Sequence, residues 1–186
     1  MIPESQAFLE PENSINVLEL LRVAHEYCLF TEKAAENNKE QISEFFLKIG
    51  PLLYLKGQLL PEIQPEYPET TERFVTEEEW QDIFNVHRAA FTNDDEYYHV
   101  NYEEFNEYEA VKASLSENFT DIYQDLKDFV LLYQKNSQAA KQNAVHDCKA
   151  LFESRWGHKI LSNMRYIHFL QNKSNISDPE TDSYSI

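Results

Sequence analysis

An all-α fold, an irregular bundle of about five helices with one long acidic, aromatic-rich loop, is what this sequence predicts. Three observations carry that expectation. Gly occurs three times and Pro seven times in 186 residues, too few turn residues for an all-β sandwich or barrel of this length. Apolar residues make up 42% of the chain, with twelve Phe and eleven Tyr, enough for one sizeable core. Those residues recur at spacings of three and four, the period of a helix face.

The first helix is expected to start after Asn13 or Ser14, either of which can cap it, and to run to about Ala35. Val17, Leu21, Ala24, Cys28, Thr31 and Ala35 share one face, which is read as core. A second helix, from about Lys39 to Leu60, carries more apolar surface than one stripe holds, so it should be central; Gly50-Pro51 inside it predicts a kink or a break. Pro61, Pro65 and Pro68 then mark an extended connection. Thr76 and Glu79 form a capping-box pattern ahead of a third helix reaching about Phe91, with Trp80 as its anchor. From Thr92 to Ser116 aromatics alternate with acids without a sustained period, which reads as a long loop. A fourth helix from about Ser116 to Lys135 presents Phe119, Ile122, Leu126 and Phe129 on one side and an Asp121, Asp125, Asp128 stripe on the other. The fifth starts near Ser137, and its apolar face turns between Trp156 and Ile160, so the arm should bend or restart at Gly157. The domain plan is therefore an N-terminal extension over 1–13, one helical domain over 14–172 and a disordered polar tail over 173–186.

Charge is segregated. The net formal charge is −17, which disfavours direct binding to nucleic acid or anionic membranes. Between Ala89 and Val111 there are seven acids and no Lys or Arg, whereas from Asn136 to Lys173 six Lys and Arg face only Asp147 and Glu153. No apolar run reaches the roughly 20 residues of a membrane helix, and the first residues lack a leader pattern. Cys28 and Cys148 read as reduced core thiols, and the compartment as cytoplasmic.

Several chemistries find no support. Three isolated glycines cannot build a phosphate loop, and neither a G-x-S-x-G elbow nor an activated Cys is present. No cofactor and no metal ligand set is assigned. A composite metal site from His25, Cys28 and His146 is conceivable, against the plainer reading of histidines at a core edge. Asp94-Asp95-Glu96 lacks the pattern of a calcium loop and reads as solvated charge. The aspartate stripe is read as a wet face or, alternatively, as a docking surface for a basic partner. Arg155, on the apolar side of its helix, needs an acid from the first or fourth helix, or else forms an anion or peptide pocket with Trp156 and His158. Tyr97, Tyr98 and Tyr102 either fold back onto the basic arm or form a contact surface.

Three stretches, Pro51-Leu52-Leu53-Tyr54-Leu55-Lys56-Gly57 to Pro61, Asp121-Ile122-Tyr123-Gln124-Asp125-Leu126-Lys127, and Cys148-Lys149 through Trp156-Gly157-His158-Lys159, together resemble an uncharacterised bacterial family. It is the domain-of-unknown-function family numbered five thousand and sixty-three. The resemblance spans about residues 14–170 and implies a small cytoplasmic helical protein; it assigns no activity and no site residue. The leading expectation is a non-enzymatic helical module that binds a protein partner. An acidic nucleic-acid mimic directed at a basic nuclease or DNA-binding protein is the alternative, and a metal-dependent enzyme the third.

Overall fold

The computed structural model describes residues 10–100 and 110–176. Six helices form an all-α bundle around a central one, with a two-stranded hairpin against one end: α1 (Ile15–Glu32), α2 (Lys39–Gln58), α3 (Glu77–Phe91), β1 (Glu96–Val100), β2 (Ala110–Ser114), α4 (Leu115–Tyr133), α5 (Gln138–Leu151) and α6 (Gly157–Ile176). The centre is α4, not α2. It packs against α1, α3, α5 and α6, and Leu115, Phe119, Ile122, Tyr123 and Leu126 are all fully buried. Phe119 meets Phe46 of α2 edge-on at 4.8 Å and lies 5.5 Å from Phe91 of α3. The Tyr27 hydroxyl of α1 donates to its carbonyl at 2.9 Å.

α1 begins where expected and buries Val17, Leu20, Ala24, Tyr27, Cys28 and Thr31. Leu21 is half-buried, and Ala35 is exposed beyond a 3-10 turn, Ala34–Glu36, in which Ala34 takes the buried place. α2 opens with an Asn38–Gln41 capping box and continues through Pro51 to Gln58. The expected break is absent: Pro51 is exposed, while Ile49, Leu53 and Gly57 on the opposite side are buried, so apolar burial offsets the hydrogen bond that proline removes. At α3 only half of the capping box forms. Thr76 Oγ1 accepts from the Glu79 amide at 3.1 Å, but the Glu79 carboxylate accepts from the Tyr123 hydroxyl at 2.5 Å.

The expected long loop is instead a hairpin on either side of residues 101–109. Its strands pair antiparallel, Glu96 with Ser114 through Val100 with Ala110. The hairpin is stapled at its base by Asp95, which is not solvated but fully buried. Its carboxylate accepts from Ser114 Oγ at 2.7 Å and the Ser116 amide at 2.8 Å, and also from Ser116 Oγ and Arg88. The carboxylate thereby caps α4 and ties it to α3. Thr92, at φ +46°, turns the chain out of α3 into this corner.

The arm after Ser137 is α5, a π turn over Phe152–Trp156, and α6. The arm thus restarts at Gly157 as expected, and the rotation of its apolar face is made in the π turn just before, because one inserted residue advances the face by roughly 100°. Before Ile15, Pro11–Asn13 form a 3-10 turn with Glu12 buried, and the Tyr133 hydroxyl donates to the Glu12 carbonyl at 2.9 Å. At the other end α6 extends to Ile176, so the polar tail expected over 173–186 is helical as far as 176, and the rest of it lies outside the described residues.

Candidate functional site

The aspartate stripe is not a wet face. Asp125 and Asp128 are 1% and 4% exposed, because α4 is wrapped on that side by the Arg73–Val75 segment, the π turn and the start of α6. Asp128 accepts from the Phe74 and Val75 amides at 2.7 and 3.1 Å and pairs with Arg73 at 3.2 Å. Asp121 accepts from Trp80 Nε1 at 2.9 Å and pairs with Lys159 at 2.6 Å and Arg155 at 3.2 Å. Burial works against the Asp121 charge, but Lys159, Trp80 and Arg155 hold its carboxyl below the usual range. Asp125 has ion pairs at 3.4 Å to Arg155 and 3.7 Å to Arg73 but no hydrogen bond to either carboxylate oxygen. Burial pushes its pKa up to about 6 against the opposing pull of the two arginines. The stripe fastens α3, the π turn and α6 to the central helix.

Arg155 is therefore a structural ion-pair partner of α4, also donating to Gln124 at 3.1 Å. Trp156 is fully buried, its Nε1 donating to the Cys148 carbonyl at 3.1 Å. His158 is exposed and lies 3.1 Å from the Glu153 carbonyl, on the rim of a separate hollow of about 220 Å3. The pocket expected from these three residues is not assembled. Nor is the composite metal site: His25 is exposed, both thiols are buried, and His146 Nδ1 lies 2.9 Å from the Ile63 carbonyl. Among the described residues no three His, Cys, Asp or Glu side chains converge.

Among the described residues a further concave feature lies farther along α6, beside β1. It is a groove of about 510 Å3 with Tyr97, Tyr98, His99 and Val100 on one wall and Leu161, Ser162, Arg165, Tyr166 and Phe169 on the other. Its floor is rigid. Tyr97 is 6% exposed and stacks on Tyr166 at 4.5 Å, and Tyr166 stacks on Phe169 at 6.4 Å. The Tyr97 hydroxyl donates to Asn163 Oδ1 at 3.0 Å. Asn118 Nδ2 donates to the same oxygen at 2.8 Å and to the Tyr97 hydroxyl at 3.0 Å. This closed network joins β1, α4 and α6, and with burial pushing the Tyr97 phenol up to about 12 the ring stays neutral and fixed. Above the floor the surface is apolar and open: Tyr98 is 71% exposed, Leu161 47% and Phe169 42%. Of the three tyrosines expected to act together, Tyr97 is floor, Tyr98 is rim, and Tyr102 lies outside the described residues. Leu161, Arg165, Tyr166 and Phe169 carried no sequence signal beyond a helix face, since only the hairpin brings them into a site.

The family model for a domain of unknown function, DUF5063, matches residues 11–173. The chain belongs to the DUF5063 family. Comparison with curated proteins gives no match. The crystal structure of protein BF1032 from Bacteroides fragilis is similar to this DUF5063 domain, with 31% sequence identity, a TM-score of 0.77, and coverage of 87% of this chain and 96% of that one. Family and fold are thereby established for the chain, and the family's function is unknown. No helix among the described residues is long and apolar enough to cross a membrane.

Proposed function

We propose that this DUF5063 protein is a non-enzymatic interaction module that holds a segment of a partner protein in the groove between β1 and α6. The observation that carries this reading is the combination of a preorganised aromatic floor with exposed apolar walls. Tyr97 is locked by Asn118 and Asn163, while Tyr98, Leu161 and Phe169 stay open to solvent. A concave, mostly apolar surface with few convergent polar groups is the form binding sites take, and an ordered floor lowers the entropy lost on association. Both cysteines are free buried thiols, which suits a reducing, cytoplasmic setting. The nucleic-acid-mimic alternative has less support, since Asp121, Asp125 and Asp128 are spent on internal pairs.

Phage-displayed peptides selected on the purified protein test the reading. Enrichment on the wild type and its loss, by about tenfold or more, on Phe169→Asp with an unchanged melting temperature is expected. Enrichment indifferent to Phe169→Asp and to Leu161→Asp would remove the groove as the binding surface.

A further inference from the structure

We infer that the groove's occupant is an extended, acidic peptide segment that adds to the hairpin as a third strand along the outer edge of β1. This rests on the groove reading above and adds the partner's backbone form and charge to it.

The hydrogen-bond phase of the hairpin supplies the first step. The Leu115 amide donates to the Asp95 carbonyl at 2.8 Å, one register step before the Glu96–Ser114 pair. In an antiparallel ladder, hydrogen-bonded and non-hydrogen-bonded pairs alternate. Tyr97 with Ala113 and His99 with Val111 are then the pairs that exchange bonds across the ladder. Tyr98 and Val100 direct their amides and carbonyls away from β2. Among the described residues no third strand meets that edge, and the side-chain hydrogen bond it receives there is from His99 Nδ1, 3.3 Å from the Val100 carbonyl.

The groove follows the same edge. Four successive residues, Tyr97 to Val100, line it and no β2 residue does. Alternate strand residues point to opposite faces, so a hollow bordered by all four runs beside the strand and not across one face of the sheet. A strand laid there pairs with Tyr98 and Val100 and turns every second side chain toward Leu161, Tyr166 and Phe169. This is strand addition, in which the main chain supplies affinity and alternate side chains supply selectivity.

Charge selects the sign of the partner. From Gly157 to Ile176 the sequence has Lys159, Arg165 and Lys173 and no Asp or Glu. Lys159 is committed to Asp121, but Arg165 is exposed, lines the groove and has no ion pair among the described residues. The acids flanking the hairpin base are already paired, Asp94 with Lys39 at 2.8 Å and Glu96 with Lys112 at 2.8 Å. Among the described residues the groove is thus lined by one cation without an ion pair, Arg165, and by no acid, and it favours acidic side chains on the solvent side of the added strand.

Two octapeptide libraries test this on the intact protein, one alternating Glu with randomised apolar residues and one alternating Lys with the same residues. Binding is followed by amide shifts and hydrogen exchange. The best Glu peptide is expected to bind at least about tenfold more tightly than its Lys twin and to slow exchange at the Tyr98 and Val100 amides. Arg165→Glu should invert the preference. N-methylation of alternate peptide amides should weaken binding by about tenfold or more through lost main-chain bonds. If peptides bind in a Phe169-dependent way yet tolerate N-methylation or prefer Lys, strand addition or the acidic partner is overturned while the groove stands. If neither library perturbs the groove, both readings fall.

Discussion

Asp125 and His87 are the two buried titratable groups whose protonation should be most visible in stability, and they act in opposite directions. Burial raises the Asp125 pKa from 3.8 to about 6, so the folded protein holds a proton that the unfolded chain releases. The stabilisation from that proton is present below about pH 4 and is lost as pH rises through 6. His87, 2% exposed with Nδ1 at 2.9 Å from the Ile83 carbonyl, is lowered by burial to about 4. It is held neutral where the unfolded chain protonates, so its contribution is present above about pH 6.5 and is lost as pH falls toward 4. Between pH 4.5 and 7.5 each is worth about 2 kcal/mol by linkage, and in the wild type they nearly cancel. Urea unfolding of the single variants separates them. Relative to wild type, Asp125→Asn should gain about 2 kcal/mol from pH 4.5 to pH 7.5, while His87→Gln should lose a similar amount over the same range. A pH-independent difference for either variant would show that its group titrates alike in both states.

At the scale of elements, the approach of α2 to the π turn and α6 is set by two glycines that should respond differently to one substitution. A Cβ on Gly57 would lie 2.5 Å from a Phe152 ring carbon and 2.7 Å from Trp156, both on buried rings with no room to retreat. A Cβ on Gly50 would meet Met164 Sδ at 3.2 Å, the end of a flexible side chain. Helix propensity favours alanine at both by about 1 kcal/mol, but overpacking costs about 1–3 kcal/mol and should win only at Gly57. Gly57→Ala is expected to lower the urea midpoint and Gly50→Ala to leave it unchanged or raise it; equal effects would refute this packing of α2. The same contrast explains what the sequence could and could not disclose. Core faces were legible at Val17, Ala24, Cys28 and Phe119 because helical period and burial coincide there. The hairpin was illegible because β2 is largely exposed and its anchor, Asp95, works through four hydrogen-bond donors on three elements, which leave no period. The aspartate stripe misled for a related reason. Acids on one side of an amphipathic helix look solvated until Arg73, Arg155 and Lys159, supplied from distant positions, are seen to cover them.

For the whole molecule, the position of α4 decides how the fold should come apart. Every other helix except α2 reaches it extensively, and α2, which packs mainly on α1 and α6, reaches it through Phe46 on Phe119, so every helix loses part of its core once α4 leaves. The polar ties point the same way. Trp80 of α3 and Lys159 of α6 end on one carboxylate, Asp121, and the Asn118 network binds the hairpin to both α4 and α6. Unfolding should therefore be a single cooperative transition, without a stable subset of α1 to α3 or of α5 with α6. The two tryptophans report on these halves separately, Trp80 on α3 and Trp156 in the π turn. In Trp156→Phe the remaining Trp80 fluorescence, and in Trp80→Phe the remaining Trp156 fluorescence, should change at the same urea concentration as the far-ultraviolet circular dichroism of that variant. Trp156→Phe also removes the indole donor from the buried Cys148 carbonyl, which keeps the Phe152 amide, and should be less stable by about 1 kcal/mol, which moves its midpoint but not the coincidence of its probes. Separated transitions within either variant would mean that α4 releases one half before the other, and that the aspartate stripe, not the aromatic core, holds the second half in place.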